Sequence, residues 1–198
     1  VHYTQIRRWI PLLVDGGLSN RSINCKISAL NSFYKFLVKT GTLETSPLAK
    51  HKALKVQKKI HIPFSEKEVT AVLSTKRDDS FEAIRNLLIL ELLYSTGMRR
   101  AELINLKISD VDFHQQQLKV LGKRNKERYI PLLNTVRESL KAYINLRNQL
   151  VNIQDSDILF LTKKGAKMYG TLVYRIVKNY FETISSKVKK SPHILRHS

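Results

Sequence analysis

The stretch from Phe81 to Tyr94 crowds Ile84, Leu87, Leu88, Ile89, Leu92 and Leu93 into one short run. A helix apolar around so much of its circumference is a buried one, so this run reads as the central helix of a packed domain. Gly97 suits its end, because glycine takes the left-handed backbone of a helix C-terminus without steric cost. That stop places Arg99 near the start of the next helix. A second helix start stands far along the chain, where Ser191 reads as an N-cap and Pro192 as the first helical residue. His193 and Arg196 then fall three apart, on one face of the first turn. Free N–H groups at a helix N-terminus attract anions and arginine adds a planar fork of donors, so a phosphate suits this turn. Between the two, VLGKRNKERYIPL (residues 120–132) reads as a β-hairpin with Lys123 in its turn.

The remaining pattern divides the chain. Residues 2–14 suggest a short helix ending at Gly16–Gly17. Ser19 then caps a longer one in which Ile23, Ile27, Leu30, Tyr34 and Leu37 recur at helical spacing up to Gly41. The opposite side gathers Arg21, Asn24, Ser28, Lys35 and Lys39 into a polar, basic stripe. Such a stripe is either a solvated face or a surface offered to a groove of DNA. Residues 50–61, KHKALKVQKKIH, hold five Lys and no acid and read as an exposed basic linker. After Pro63, Ser65 and Glu68 form a capping box for a helix through Leu73. Alternation in Val111, Phe113, Leu118 and Val120, continued by Tyr129 and Ile130, predicts short strands. Asn134 is expected to cap a helix carrying Val136, Leu140, Tyr143, Ile144 and Leu150. The run 158–161 is too short to classify, and 170–186 reads as a further helix. The expected architecture is mainly α with a small antiparallel sheet: a helical domain over 1–49, a linker over 50–62 and a second domain over 63–198.

Charge narrows the partners. The chain carries 35 Lys and Arg against 16 Asp and Glu, a net +19. That excess points to a polyanion, nucleic acid before membrane, with solubilising charge as the plain alternative. No apolar run is long enough to span a bilayer, and no secretory segment is visible. The single Cys25 excludes an intrachain disulfide and fits a reducing cytosol. A metal nuclease needs clustered carboxylates, whereas Asp78–Asp79, Asp110 and Asp112 sit where helix starts or turns are expected. Neither a zinc spacing nor a phosphate-binding glycine loop is present. No metal and no cofactor is expected. The first residue is Val rather than Met, so the amino end reads as a possible cut, and the carboxyl end is treated in the same way.

The segments TGMRRAEL (96–103), GKRNKER (122–128) and SPHILRHS (191–198), in that order, resemble the tyrosine recombinases, the phage-integrase and Xer-type site-specific recombinases. The run NRSINCKISALNSFYKFL is similar to that family's amino-terminal DNA-clamping domain. The resemblance implies that Arg99 and Arg196 stabilise charge on a scissile phosphate and that Lys123 acts as general acid towards the leaving 5′ oxygen. It implies that His193 accepts or relays the nucleophile's proton and that Glu102 orients Arg99. Arg124, Lys126 and Arg128 fit backbone phosphate clamps, and His197 a packing role. The implied activity is strand exchange on double-stranded DNA through a covalent 3′-phosphotyrosine, by a homo- or hetero-tetramer in full-length members, cytoplasmic and associated with the nucleoid. The family's nucleophilic Tyr follows the HxLRH box. None of the eight tyrosines here matches its position, so the expectation is DNA binding without a covalent adduct. Two rivals are a type IB topoisomerase-like relaxing enzyme and a non-catalytic DNA-binding regulator of the same fold. Retention of Arg99, Lys123, His193 and Arg196 together argues against the regulator.

Overall fold

A computed structural model describes residues 2–57, 62–75, 79–186 and 190–196, with the side chain of Lys123 excepted. The chain divides into two compact units, Val1–Ile60 and His61–Ser198.

In the first unit, helix α1 (Tyr3–Asp15) packs on helix α2 (Asn20–Lys39). Ser19 caps α2, its Oγ accepting from the Ser22 N–H at 3.2 Å, which serves one of the N–H groups that a helix start leaves over. Ile6, Ile10, Ile23, Ile27, Tyr34 and Leu48 are buried, with Leu30, Leu37, Leu43 and Leu54 packed around them. Helical phase decides α2's faces: Ile27 is 5% exposed while its neighbour Ser28 is exposed.

The segment from residue 50, expected as an open linker, is held to this unit as far as Lys55. Leu54 joins the apolar cluster. Asn24, expected to face a groove, instead serves both backbone groups of Leu54: its Nδ2 donates to the carbonyl and its Oδ1 accepts from the N–H, each at 2.9 Å. One turn earlier, Asn20 Nδ2 donates to the Lys55 carbonyl at 2.9 Å. The reason for both corrections is that an irregular segment lying on a helix still needs partners for its N–H and C=O groups. An amide side chain supplies donor and acceptor at once.

In the second unit, helix α3 (Glu66–Leu73) opens with the capping box of Ser65 and Glu68. Helix α4 (Phe81–Thr96) is capped by Ser80 and ends on Gly97 in the left-handed region, at φ +58°. After helix α5 (Arg100–Ile104) comes a three-stranded antiparallel sheet in sequential order. Its strands are β1 (Val111–Asp112), β2 (Gln117–Leu121) and β3 (Glu127–Pro131), with Leu118 opposite Ile130 and Val120 opposite Arg128. Helices α6 (Asn134–Asn148), α7 (Gly170–Glu182) and α8 (Pro192–Leu195) complete the unit. Asn134 is the first helical residue of α6 rather than its cap. Leu133 holds the cap position with extended backbone (φ −64°, ψ 150°), because the chain leaving Pro131 stays extended until there.

The core gathers Leu88, Ile89, Leu92 and Leu93 of α4 with Leu140 and Tyr143 of α6 and Val173, Val177 and Phe181 of α7. Phe64 stacks on Phe181 with ring centroids 3.8 Å apart. The run 158–161 is neither helix nor ladder; it joins its surroundings through single bridges, Lys107 to Ile158 and Leu161 to Lys167. Leu159, Phe160 and Leu161 are nonetheless fully buried, so side chains must serve their backbone. Tyr143 Oη donates to the Leu159 carbonyl and accepts from the Leu161 N–H, both at 3.1 Å. Arg147 Nη2 reaches the carbonyls of Ser156 and Ile158 at 2.6 and 2.8 Å, and Arg85 Nη1 that of Leu161 at 3.1 Å. The Leu159 N–H in turn donates to the Leu106 carbonyl at 2.8 Å, which anchors the chain just after α5. No helix among the described residues is long and apolar enough to cross a membrane.

Candidate active site

The site begins with the change of direction at Gly97. Left-handed backbone there ends α4, Met98 is fully buried, and Arg99 adopts the extended cap conformation (φ −77°, ψ 149°) at the head of α5. Burial of Met98 on one side leaves Arg99's side chain 52% exposed on the other. Helix α8 repeats the device. Ser191 caps it and Ile194 and Leu195 are buried, which leaves His193 exposed and Arg196 half-buried. The two segments meet at Gly97, where a Cβ would stand 4.0 Å from both Cγ and the carbonyl oxygen of Arg196. Arg99, His193 and Arg196 thereby line one cleft of about 490 Å³, with Arg100 and Tyr174 at its side and Met98 and Pro192 among its apolar lining. The guanidinium groups of Arg99 and Arg196 and the imidazole of His193 in one cleft offer forked donors to an oxyanion together with a group able to move a proton.

Arg99 is tied to a buried carboxylate. Glu102, with a side chain 5% exposed, accepts from Arg99 twice, from Nη1 at 2.7 Å and from the backbone N–H at 2.8 Å. It also accepts a fork from Arg128, Nη1 to Oε1 at 3.2 Å and Nη2 to Oε2 at 2.8 Å. Burial opposes the charge on Glu102, but hydrogen bonds from Arg128 and Arg99 outweigh it and hold the carboxyl down at about 2. The group is ionised at neutral pH.

Arg128 therefore differs from the phosphate clamp expected of it, since its fork is spent on Glu102. The reason is strand parity. Successive side chains of β3 point to opposite faces, and Arg128, opposite Val120, shares the inward face with Ile130, while Tyr129 is exposed. The alternation that placed Tyr129 carried this signal. Arg124 and Lys126 are exposed in the turn. Arg124 and Asn125 are both left-handed, at φ 62° and 60°. Lys123 begins this turn; its side chain, like all of His197, lies outside the described residues.

Arg100 and Tyr174, which also line the cleft, had no motif to announce them, nor had the polar residues of α7 near Tyr174 in sequence. Arg100 Nη1 donates to the Gly170 carbonyl at 3.3 Å, and Arg175 Nη2 donates to Tyr169 Oη at 2.6 Å. Tyr174, Arg175 and Lys178 lie outward on α7 while Val173 and Val177 lie inward, so helical phase was the available signal. Of the α2 stripe in the first unit, Arg21, Ser28, Lys35 and Lys39 are exposed. No group of three or more His, Cys, Asp or Glu is placed to hold a metal among the described residues.

Residues 63–198 match the family model described as phage integrase family, and residues 1–41 match that of the phage integrase N-terminal SAM-like domain. The chain belongs to the phage integrase family. It is 34% identical over 219 residues to tyrosine recombinase XerC of Chlorobaculum parvum, a match covering 100% of this chain and 65% of that protein. It is 36% identical over 194 residues to tyrosine recombinase XerD of Staphylococcus haemolyticus, covering 98% of this chain and 66% of the relative. The chain thus spans just under two thirds of the length of these curated relatives. A solved structure of XerH site-specific recombinase bound to palindromic difH substrate, a post-cleavage complex, superposes with a TM-score of 0.77. That match has 22% identity and covers 100% of this chain and 60% of the other; it shows the same fold.

Proposed function

We propose that this protein is a site-specific DNA recombinase that cuts and rejoins double-stranded DNA through a 3′-phosphotyrosine. The observation that carries the reading is the joint lining of one cleft by Arg99, His193 and Arg196, in a chain whose relatives are named tyrosine recombinases. In the reaction a tyrosine oxygen bonds to phosphorus as the bond to the 5′ oxygen breaks. Arg99 and Arg196 hold the non-bridging oxygens, where charge develops. His193 takes the proton of the attacking hydroxyl, and Lys123 gives one to the departing 5′ oxygen. Rejoining runs the same steps backwards, so bond energy is conserved in the phosphotyrosine and no nucleotide is consumed.

Buried tyrosines do not suit the attack. Tyr34, Tyr143 and Tyr180 are nearly inaccessible, and burial pushes the Tyr143 hydroxyl up to about 12. Tyr174 lines the cleft but matches no position of the family's nucleophile. Excess positive charge and the exposed α2 stripe support wrapping of a duplex, and assembly as a homo- or hetero-tetramer on paired sites at the nucleoid completes the reading.

The test is to select a binding site from random duplexes and incubate a nicked version with the protein as encoded in full. Protein-linked DNA after denaturation is expected, lost in Arg99→Ala and kept in Tyr174→Phe. An adduct-free but tightly bound site would favour a binding-only regulator. Relaxation of supercoiled DNA regardless of sequence would favour a topoisomerase-like enzyme.

A further inference from the structure

We propose that Arg128 is a positioning residue for DNA cleavage, seating the turn that begins at Lys123 on the same carboxylate that holds Arg99. The proposal rests on the recombinase reading above. Glu102 is shared oxygen by oxygen: Oε1 accepts Nη1 of both arginines, and Oε2 accepts the Arg99 N–H and Arg128 Nη2. One buried carboxylate thus joins the head of α5 to strand β3, 26 residues apart in sequence. Two cations against one anion leave the cluster positive, which keeps it compatible with a phosphate while both forks are fixed.

The turn rests directly on this pair. A Cβ at Gly122 would stand 3.3 Å from Arg128 Nη1 and 3.7 Å from Glu102 Oε1, with the Lys126 carbonyl also at 3.3 Å. Gly122 is therefore the residue that lets the hairpin backbone come down onto the Arg128–Glu102 pair. Its N–H donates to the Lys126 carbonyl at 2.8 Å, and the next residues but one, Arg124 and Asn125, are both left-handed. Such a turn is too short to bend independently of its base. Its attitude, and with it the origin of the Lys123 side chain, follows Arg128. Without that fork Glu102 has Arg99 alone and nothing from the cluster holds the turn. The part of catalysis most exposed to this change is protonation of the leaving oxygen.

The experiment uses the protein as encoded in full, on nicked duplexes carrying its selected site with either an ordinary 5′ oxygen or a bridging 5′ sulfur. Sulfur leaves with little need of a proton. Arg128→Ala removes the fork, and Arg128→Lys keeps the charge but not the two-point geometry. Misplacement of a catalytic group by about 1 Å can cost about a hundredfold. Single-turnover cleavage of the oxygen substrate is therefore expected to fall by about tenfold to a hundredfold in both variants. On sulfur, cleavage should return to within roughly threefold of wild type, a recovery that general loss of structure cannot produce. Unchanged cleavage of the oxygen substrate, or equal losses on both substrates, would overturn the proposal. If Arg128→Ala does not fold, judged by circular dichroism, Arg128→Lys carries the test under the same two criteria. Failure of the underlying reading looks different: wild type itself would then form no protein-linked DNA on either substrate.

Discussion

On α2, Arg21, Ser28, Lys35 and Lys39 share a face because they sit on one helix at helical spacing, and the helix carries no acidic residue to hold any of them. In the cleft, Arg99 comes from the head of α5 while His193 and Arg196 come from the distant α8 segment, and Arg99 is pinned by a buried carboxylate that also binds Arg128. The first arrangement is a row of separate polar side chains, and the second includes an arginine fixed in a shared network. Independent charges contribute roughly additively, whereas groups sharing one network couple. The α2 face is therefore suited to affinity, and the cleft to chemistry that depends on geometry.

The largest expected effect is in the cleft. Arg99→Ala or Arg196→Ala should raise the cleavage barrier by about 2.7–4 kcal/mol, as loss of one donor aimed at developing charge does, while leaving DNA affinity largely in place. Single-turnover adduct formation read beside fluorescence anisotropy separates the two; an equal loss in both would erase the contrast with α2.

Next comes acid stability of the second unit. Glu102 titrates at about 2 instead of 4.5, so the unfolded chain binds this proton first as pH falls. The stabilisation is fully present above about 4.5 and lost as pH falls through about 2, an effect on the order of 3 kcal/mol. Acid unfolding of wild type and Glu102→Gln should differ in slope within that window. Parallel curves would mean that the carboxylate is not the keystone of the cluster.

A smaller, graded effect belongs to α2. Replacing Arg21, Lys35 and Lys39 by Ala should lower the dependence of log affinity on log salt by roughly 0.9 for each phosphate no longer neutralised. Cleavage measured at saturating protein should not change. A fall in that saturated rate would show that α2 takes part in chemistry and would break the division drawn here.

The smallest effect tests the fold rather than the function. Asn24→Ala should cost about 1–2 kcal/mol locally, the usual size for unpaired backbone groups, and should release the Leu54 amide to faster hydrogen exchange. Unchanged protection at Leu54 would mean that the apolar packing of its side chain, not the Asn24 bonds, fastens this segment.

By itself the sequence determined what is decided within a few residues. The caps at Ser19, Ser65 and Ser191, the left-handed stop at Gly97 and the inward phase of Ile23, Ile27 and Tyr34 all follow from local hydrogen bonds, backbone preference and helical period. The separate motifs around Arg99, Lys123 and His193 were legible in the same way. What only tertiary structure decided is where the multivalent polar side chains end. Arg128 went to Glu102 rather than outward, Asn24 to the Leu54 backbone, and Arg85, Tyr143 and Arg147 to carbonyls of the buried run through 161. An arginine or asparagine has several donors and a long choice of partners, and its local sequence ranks none of them. The choice is made by whichever buried carboxylate or backbone group the packed fold leaves without water, because an unserved polar group in the interior costs more than any local preference returns.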